Sequence, residues 1–222
     1  MGQAGRGLRI AAWASGVVGA LLLVGPVVLF GFFYTTAQVT GSSMEPTYPV
    51  GERVVIERTG PGEIRRGEVV LYRAPDRYEG GAVLGRVIGT GGDRVAQLRD
   101  EPVTVNGTPL TEPYVKDGDP SGTALAYDVA VPEGRLFILG DFRGNARDSR
   151  YFLDDRSGTV SDTSVLGRAS SGRGALAGLG LTMLIGALLT VTALVSALAA
   201  RSAGQRERRW VMPPPPLLAD RP

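Results

Sequence analysis

The sequence predicts a mostly β protein, an antiparallel β-sheet domain flanked by two transmembrane helices. Two long apolar runs without a charged residue stand near the chain ends, and between them short runs rich in β-branched residues alternate with Gly, Pro, Asn and Asp clusters. The short runs have the composition of strands and the clusters that of tight connections, and no long amphipathic helical pattern competes with them.

The first apolar run covers residues 10–34. As a helix it is long enough to cross a hydrocarbon core of roughly 30 Å. Arg6 and Arg9 precede it, as the basic end of a cleaved leader would. Pro26, Phe30, Phe32, Phe33 and Tyr34 make a poor small-residue cleavage site, so the run reads as an anchor. The second run, residues 174–200, is rich in Leu, Ala and Gly and is followed by Arg201, Arg206, Arg208 and Arg209. Basic residues gather on the cytoplasmic side of membrane helices, which puts residues 1–9 and 201–222 inside the cell and the middle of the chain outside. Arg168 and Arg173 oppose this assignment mildly and are outnumbered. The run Pro213 to Pro216 predicts an extended tail.

Residues 38–170 are enough to bury a core without disulfides. Within them, residues 53–57, 68–72, 82–88, 94–98, 103–105, 127–131 and 135–139 read as strands. Gly60-Pro61-Gly62, Gly89-Thr90-Gly91-Gly92, Asn106-Gly107 and Pro132-Glu133-Gly134 supply the positive φ angles and turns that join antiparallel neighbours. Residues 98–128, polar and rich in Gly, Pro and Asp, read as a small hairpin-bearing insertion.

Composition removes several kinds of chemistry. With no cysteine there is no disulfide, thiol nucleophile or cysteine-ligated metal, and with no histidine the commonest general base and metal ligand is missing. No metal or organic cofactor is implied. A formal charge of +2 with scattered basic residues gives no support for nucleic-acid binding. Lysine occurs once, at Lys116, against abundant arginine, glycine and alanine, as in a high-GC bacterial chain.

Three short motifs carry the candidate chemistry. The first, Gly41-Ser42-Ser43-Met44-Glu45-Pro46-Thr47, follows the first anchor and runs into Gly51-Glu52-Arg53-Val54. The second is Arg86-Val87-Ile88-Gly89-Thr90-Gly91-Gly92-Asp93, and the third runs from Gly140-Asp141-Phe142-Arg143-Gly144-Asn145 through Ala146-Arg147-Asp148-Ser149-Arg150. Taken alone, each is turn chemistry beside a strand. In this order, and behind an anchor, they resemble the signal peptidase I family, whose pattern has Ser-Met-x-Pro-Thr, then Lys-Arg-x-x-Gly-x-Pro-Gly-Asp, then Gly-Asp-Asn-Arg-Asp-Asn-Ser-x-Asp-Ser-Arg. Gly91 departs from the proline of the second motif.

The resemblance implies a β-rich catalytic domain at the outer surface of the bacterial membrane, cleaving signal peptides from secretory precursors after small residues. Ser43 would be the nucleophile, and its backbone N–H part of the oxyanion hole. Gly41 stands where relatives carry either serine or glycine. Asp148 and Arg150 would form the ion pair that supports the site, beside Arg86. Signal peptides and membrane lipid are the implied partners.

Serine attacks only after a neighbouring base takes its proton, and the family uses a lysine made neutral by burial. That lysine would directly precede Arg86, where this chain has Gly85. Arg86 is no substitute, since a guanidinium keeps its proton. The family serine that hydrogen-bonds the lysine falls at Ala146, so the base and its orienting partner are both absent. Lys116, flanked by acids in a polar loop, reads as a solvated surface charge. Glu45 or Asp93 would serve as a base only with a strongly raised pKa. Three readings stand: a working peptidase with a substitute base, a pseudopeptidase that binds signal peptides or a membrane partner, and a structural protein whose motifs are turns.

Overall fold

The computed structural model describes residues 3–122, 126–170 and 173–209. The chain forms two compact units, one made of its two end segments and the other running from Phe32 to Gly172.

In the first unit, helices α1 (Gln3–Phe33) and α2 (Arg173–Arg209) contain Trp13–Phe33 and Ala177–Ala199, stretches long and apolar enough to cross a membrane. Their large apolar side chains, among them Trp13, Leu21, Phe32, Leu184 and Leu188, point outward, and Ala193 is buried. At the crossing, a Cβ on Gly19 would lie 2.8 Å from the Thr190 backbone nitrogen, and one on Gly186 would lie 2.9 Å from the Leu22 backbone. Small residues thus lie where the two helices meet, and large apolar ones face outward. The tail containing Pro213 to Pro216 lies outside the described residues.

The second unit holds two antiparallel sheets. Its strands are β1 (Tyr34–Gln38), β2 (Arg53–Glu57), β3 (Val69–Arg73), β4 (Ala82–Thr90), β5 (Arg94–Gln97) and β6 (Thr104–Val105). They continue with β7 (Thr108–Pro109), β8 (Tyr127–Ala130), β9 (Arg135–Leu139), β10 (Val160–Ser161) and β11 (Val165–Ser170). The larger sheet has the order β1-β2-β11-β3-β4-β9-β10, and the smaller the order β7-β6-β5-β8. Mostly β between two apolar helices is therefore the observed class.

Successive side chains of a strand leave opposite faces, and β4 and β9 use both faces for core. Val87 and Ile138 join Val70 and Tyr72 in one apolar cluster, while Ile88, Phe137 and Leu139 join Val95, Val105 and Val129 of the smaller sheet in another. This is why these strands read as nearly continuous apolar runs. Asn106 and Gly107, both at positive φ, turn β6 into β7, as their pairing in the sequence predicts.

Four strands escape the sequence reading: β1, β7, β10 and β11. β7 and β10 have two residues each, too few for any periodicity. β1 is a polar edge strand, and Tyr34, which the apolar run includes, is its first residue rather than helix. β11 is interrupted by Gly167, where its register on β3 shifts, yet it is a central strand paired with both β2 and β3. Its partners impose extended structure that its own residues do not advertise.

Gly158 lies under the third motif at φ +72°, and a Cβ there would fall 2.1 Å from the Ser149 carbonyl oxygen. Both the left-handed backbone and the contact resist a side chain. Replacing Gly158 with alanine is expected to remove about 3 kcal/mol of stability, read as a lowered midpoint of thermal unfolding in detergent.

Candidate active site

Ser43 sits on the connection between β1 and β2. That loop closes on itself through Val39 N–H to the Glu52 carbonyl at 2.9 Å, Gly51 N–H to the Val39 carbonyl at 2.8 Å and Tyr48 N–H to the Met44 carbonyl at 2.9 Å. Met44 is 1% exposed and plugs the turn into the domain. The carbonyl of Ser43 accepts the Phe142 N–H at 3.0 Å, which lays the first motif against the third.

Ser43, Gly85 and Ala146, far apart in the chain, line one cleft with Tyr72, Val83, Leu84, Ile138, Leu139, Gly140, Arg147 and Asp148. The free space there is about 10 Å³, the scale of one water molecule. A Cβ on Gly85 would lie 2.5 Å from Ile138 Cγ2 and 3.3 Å from Tyr72 Cε1. The core has therefore closed over the place a side chain at residue 85 would need. Arg86, the next residue of β4, leaves the other face of the strand.

None of the titratable groups in this cleft is a ready base. Burial pushes the Tyr72 phenol well above its ordinary range, with the neighbouring Tyr78 acting in the same direction, so it keeps its proton. Arg147 is a guanidinium. Asp148 binds Arg150 in a two-pronged pair, Nε to Oδ1 at 2.8 Å and Nη2 to Oδ2 at 2.7 Å, and also accepts the Gly140 N–H at 3.1 Å. Among the described residues, none is hydrogen-bonded to the Ser43 hydroxyl.

The ionic groups around the cleft are deeply buried and densely bonded. Arg86 donates to Asp141 through Nε at 2.8 Å and Nη2 at 2.6 Å, to the Gly67 carbonyl at 2.8 Å, and lies 3.8 Å above the Tyr114 ring. The Thr47 hydroxyl donates to the same Asp141 carboxylate. Burial alone would lower the Arg86 pKa, but hydrogen bonds and the charge of Asp141 outweigh it and hold the guanidinium above its ordinary value. Arg86 thus ties the second motif to the first and third and takes no part in the cleft. Arg150 follows the same pattern: burial opposes its charge, and Asp148 more than compensates. Its remaining donors reach the Ser121 carbonyl at 2.8 Å and the Arg143 carbonyl at 2.9 Å.

The sequence reading did not single out Arg143 or Glu112. The Arg143 side chain is 1% exposed and pairs with Glu112 at 2.6 Å, while its other nitrogens reach the carbonyls of Gly140 and Pro120, both at 2.9 Å. Asn145 donates to the Ser42 hydroxyl at 2.7 Å. The available signal was the third motif itself, which contains Arg143 and Asn145 beside Asp148 and Arg150.

Lys116 corrects an expectation. It is not a solvated charge: its Nζ lies 2.6 Å from Glu45 Oε2 and 4.1 Å from the centre of the Phe142 ring, with its side chain 28% exposed. An amine so engaged donates to a carboxylate, and it is absent from the cleft lining. Glu45 is occupied by the same bond. Asp93 caps the turn after β4, accepting from the Thr90 N–H at 2.9 Å, the Thr90 hydroxyl at 3.0 Å and the Asn106 amide at 2.9 Å. Partial burial raises its pKa, but these bonds and Arg66 outweigh burial and lower it, the wrong direction for a base. A side chain at Gly41 would enter open space. Among the described residues, no group of three or more His, Cys, Asp or Glu side chains could hold a metal ion.

Comparison with known proteins adds a family. The family described as Signal peptidase, peptidase S26, matches residues 10–172. A signal peptidase I of Bacillus licheniformis is 33% identical over 150 residues, covering 64% of this chain and 78% of the relative. The signal peptidase I T of Bacillus subtilis strain 168 is 32% identical over 164 residues, covering 70% and 80%. A crystal structure of a signal peptidase I from Enterococcus faecalis V583 shares 28% identity, covering 50% of this chain and 100% of that one, with a TM-score of 0.40.

Two outcomes follow from the buried charges. Replacing Asp148 with asparagine strands the Arg150 guanidinium and is expected to cost about 3–5 kcal/mol, measured by unfolding in detergent. For Asp93 the sign is that of a lowered carboxylate. Its stabilisation is present above the unfolded pKa and is lost as pH falls through the lower folded value. Asp93→Asn should therefore be less stable than the native chain at neutral pH, with the gap closing below about pH 4.

Proposed function

Because the chain belongs to the signal peptidase family, peptidase S26, we propose that it binds signal peptides of secretory precursors outside the membrane and releases them uncut. The proposal includes its topology: α1 and α2 cross the bilayer in contact with lipid, both termini lie in the cytoplasm, and the β domain is extracytoplasmic. The coarser statement, membership of a family that cleaves signal peptides, rests on the matches above.

The observation that carries the finer reading is the cleft at Gly85, where Ile138 and Tyr72 stand in the place of a side chain. Peptide cleavage by serine needs the hydroxyl proton removed as the oxygen attacks the carbonyl carbon, and the same proton returned to the departing amine. Ser43 is the proposed nucleophile position, and its backbone N–H the proposed oxyanion donor. Nothing in the cleft lining is fitted for the proton transfer. Asp148 is held by Arg150 and Gly140, Tyr72 keeps its proton, and Lys116 donates to Glu45. A serine site stripped of its base retains weak catalysis from binding and oxyanion donors alone. The buried Asp148–Arg150 and Arg86–Asp141 pairs support the segments that surround Ser43.

The test uses full-length protein in detergent and a precursor with a small-x-small cleavage site. Cleavage by the native chain is expected to be no faster than by Ser43→Ala, while both bind the signal peptide. Cleavage that Ser43→Ala abolishes would establish a working enzyme with a substitute base. Restoring the base requires space as well as an amine, so Gly85→Lys with Ala146→Ser is expected to cleave only when Ile138→Ala is added.

A further inference from the structure

Residues 112–116 touch all three motifs. Glu112 pairs with Arg143 of the third at 2.6 Å. Tyr114 lies under Arg86 of the second at 3.8 Å from ring centre to guanidinium carbon, and its hydroxyl donates to Glu112 at 2.7 Å. Lys116 reaches Glu45 of the first at 2.6 Å, and its N–H donates to the Asp141 carbonyl at 3.1 Å. Val115, between them, is 7% exposed and anchors the segment in the domain. One short loop between β7 and β8 therefore bears on the turn that presents Ser43, on the strand beside it and on the loop facing it.

We propose that residues 112–116 are a clamp that sets the position of the Ser43 turn, with Lys116 as its positioning residue acting through Glu45. The proposal builds on the peptide-binding reading of the cleft. Ser43 is tied on one side by its carbonyl, which accepts the Phe142 N–H, and Ser42 by Asn145. On the far side of Ser43, Thr47 is held by Asp141, and Glu45 by Lys116. Lys116 also lies over the ring of Phe142, the residue whose N–H holds the Ser43 carbonyl. The ammonium thus bridges the two flanks of the turn: the Glu45 carboxylate and the Phe142 ring. The cleft has room for about one water, so a small shift of the turn changes what fits there.

A merely structural ion pair and a positioning clamp differ in what they move. A partly exposed pair adds little to global stability, whereas a clamp governs local order and fit. The experiment compares full-length Lys116→Met, Glu45→Gln, Lys116→Arg and the exchange Lys116→Glu with Glu45→Lys, all in detergent. Amide hydrogen exchange without peptide reads the turn, labelled signal peptide reads affinity, and thermal unfolding reads stability. Lys116→Met and Glu45→Gln are expected to speed exchange in residues 42–48 and weaken peptide binding about tenfold, with an unchanged unfolding midpoint. Lys116→Arg and the exchanged pair should restore both. Unchanged exchange at residues 42–48 in Lys116→Met would overturn the clamp, as would a parallel fall in stability that the exchanged pair does not repair. Failure of the native chain to bind signal peptide would refute the proposed function, and the clamp would then stand or fall by hydrogen exchange at residues 42–48.

Discussion

The pairing of Arg86 with Asp141 is the interaction on which the rest of the domain's functional end depends. The carboxylate is wholly buried and accepts a two-pronged guanidinium from β4 and the hydroxyl of Thr47 from the β1–β2 connection. A buried carboxylate left without partners is costly, and bringing two charges out of water is repaid only when geometry is good and remaining donors are satisfied. Here they are: the third guanidinium nitrogen reaches the Gly67 carbonyl, and the face of the group rests on Tyr114. Three segments distant in sequence have one arrangement that meets these demands. That arrangement brings Ser43 beside β4 and the loop after β9.

The same logic repeats twice within a few residues. Arg143 with Glu112 and Arg150 with Asp148 are both nearly sealed from water, and each guanidinium also donates to a carbonyl of the β7–β8 connection, Pro120 for Arg143 and Ser121 for Arg150. The connection between β7 and β8 is thereby fastened to the third motif by directional bonds. Apolar packing alone would leave it free to slide. Burying such a pair adds little net stability over apolar packing, but removing one partner leaves a charge stranded out of water.

Against that scaffold, Gly85 is a local feature of β4. The strand continues through residue 85 with its backbone paired to Val70, and Ile138 and Tyr72 stand so close that a side chain at residue 85 would meet them, leaving a cleft of about 10 Å³. Close packing makes such a change hard to reverse by one substitution, since a returning side chain meets neighbours that cannot yield independently. Ile138 and Tyr72 thus belong both to the core of the larger sheet and to the wall facing Ser43.

Much of this was legible in the residues alone. Periodicity and turn chemistry located the apolar helices and the strands with β-branched alternation, because those patterns are set by which faces must leave water. The absence of histidine and the glycine at residue 85 are statements about chemistry that hold whatever the fold. The polar edge strand β1, the two-residue strands and the interrupted β11 were not legible, because partners supplied from elsewhere in the chain make them extended. Nor was Lys116, whose acidic neighbours in sequence predict solvent, while in space it meets Glu45 and Phe142. Local sequence determined which groups are present and what protons they are able to carry. Only the tertiary structure decided which of them meet and which are committed to one another, because burial and ion pairing are properties of contacts between residues that the chain places far apart.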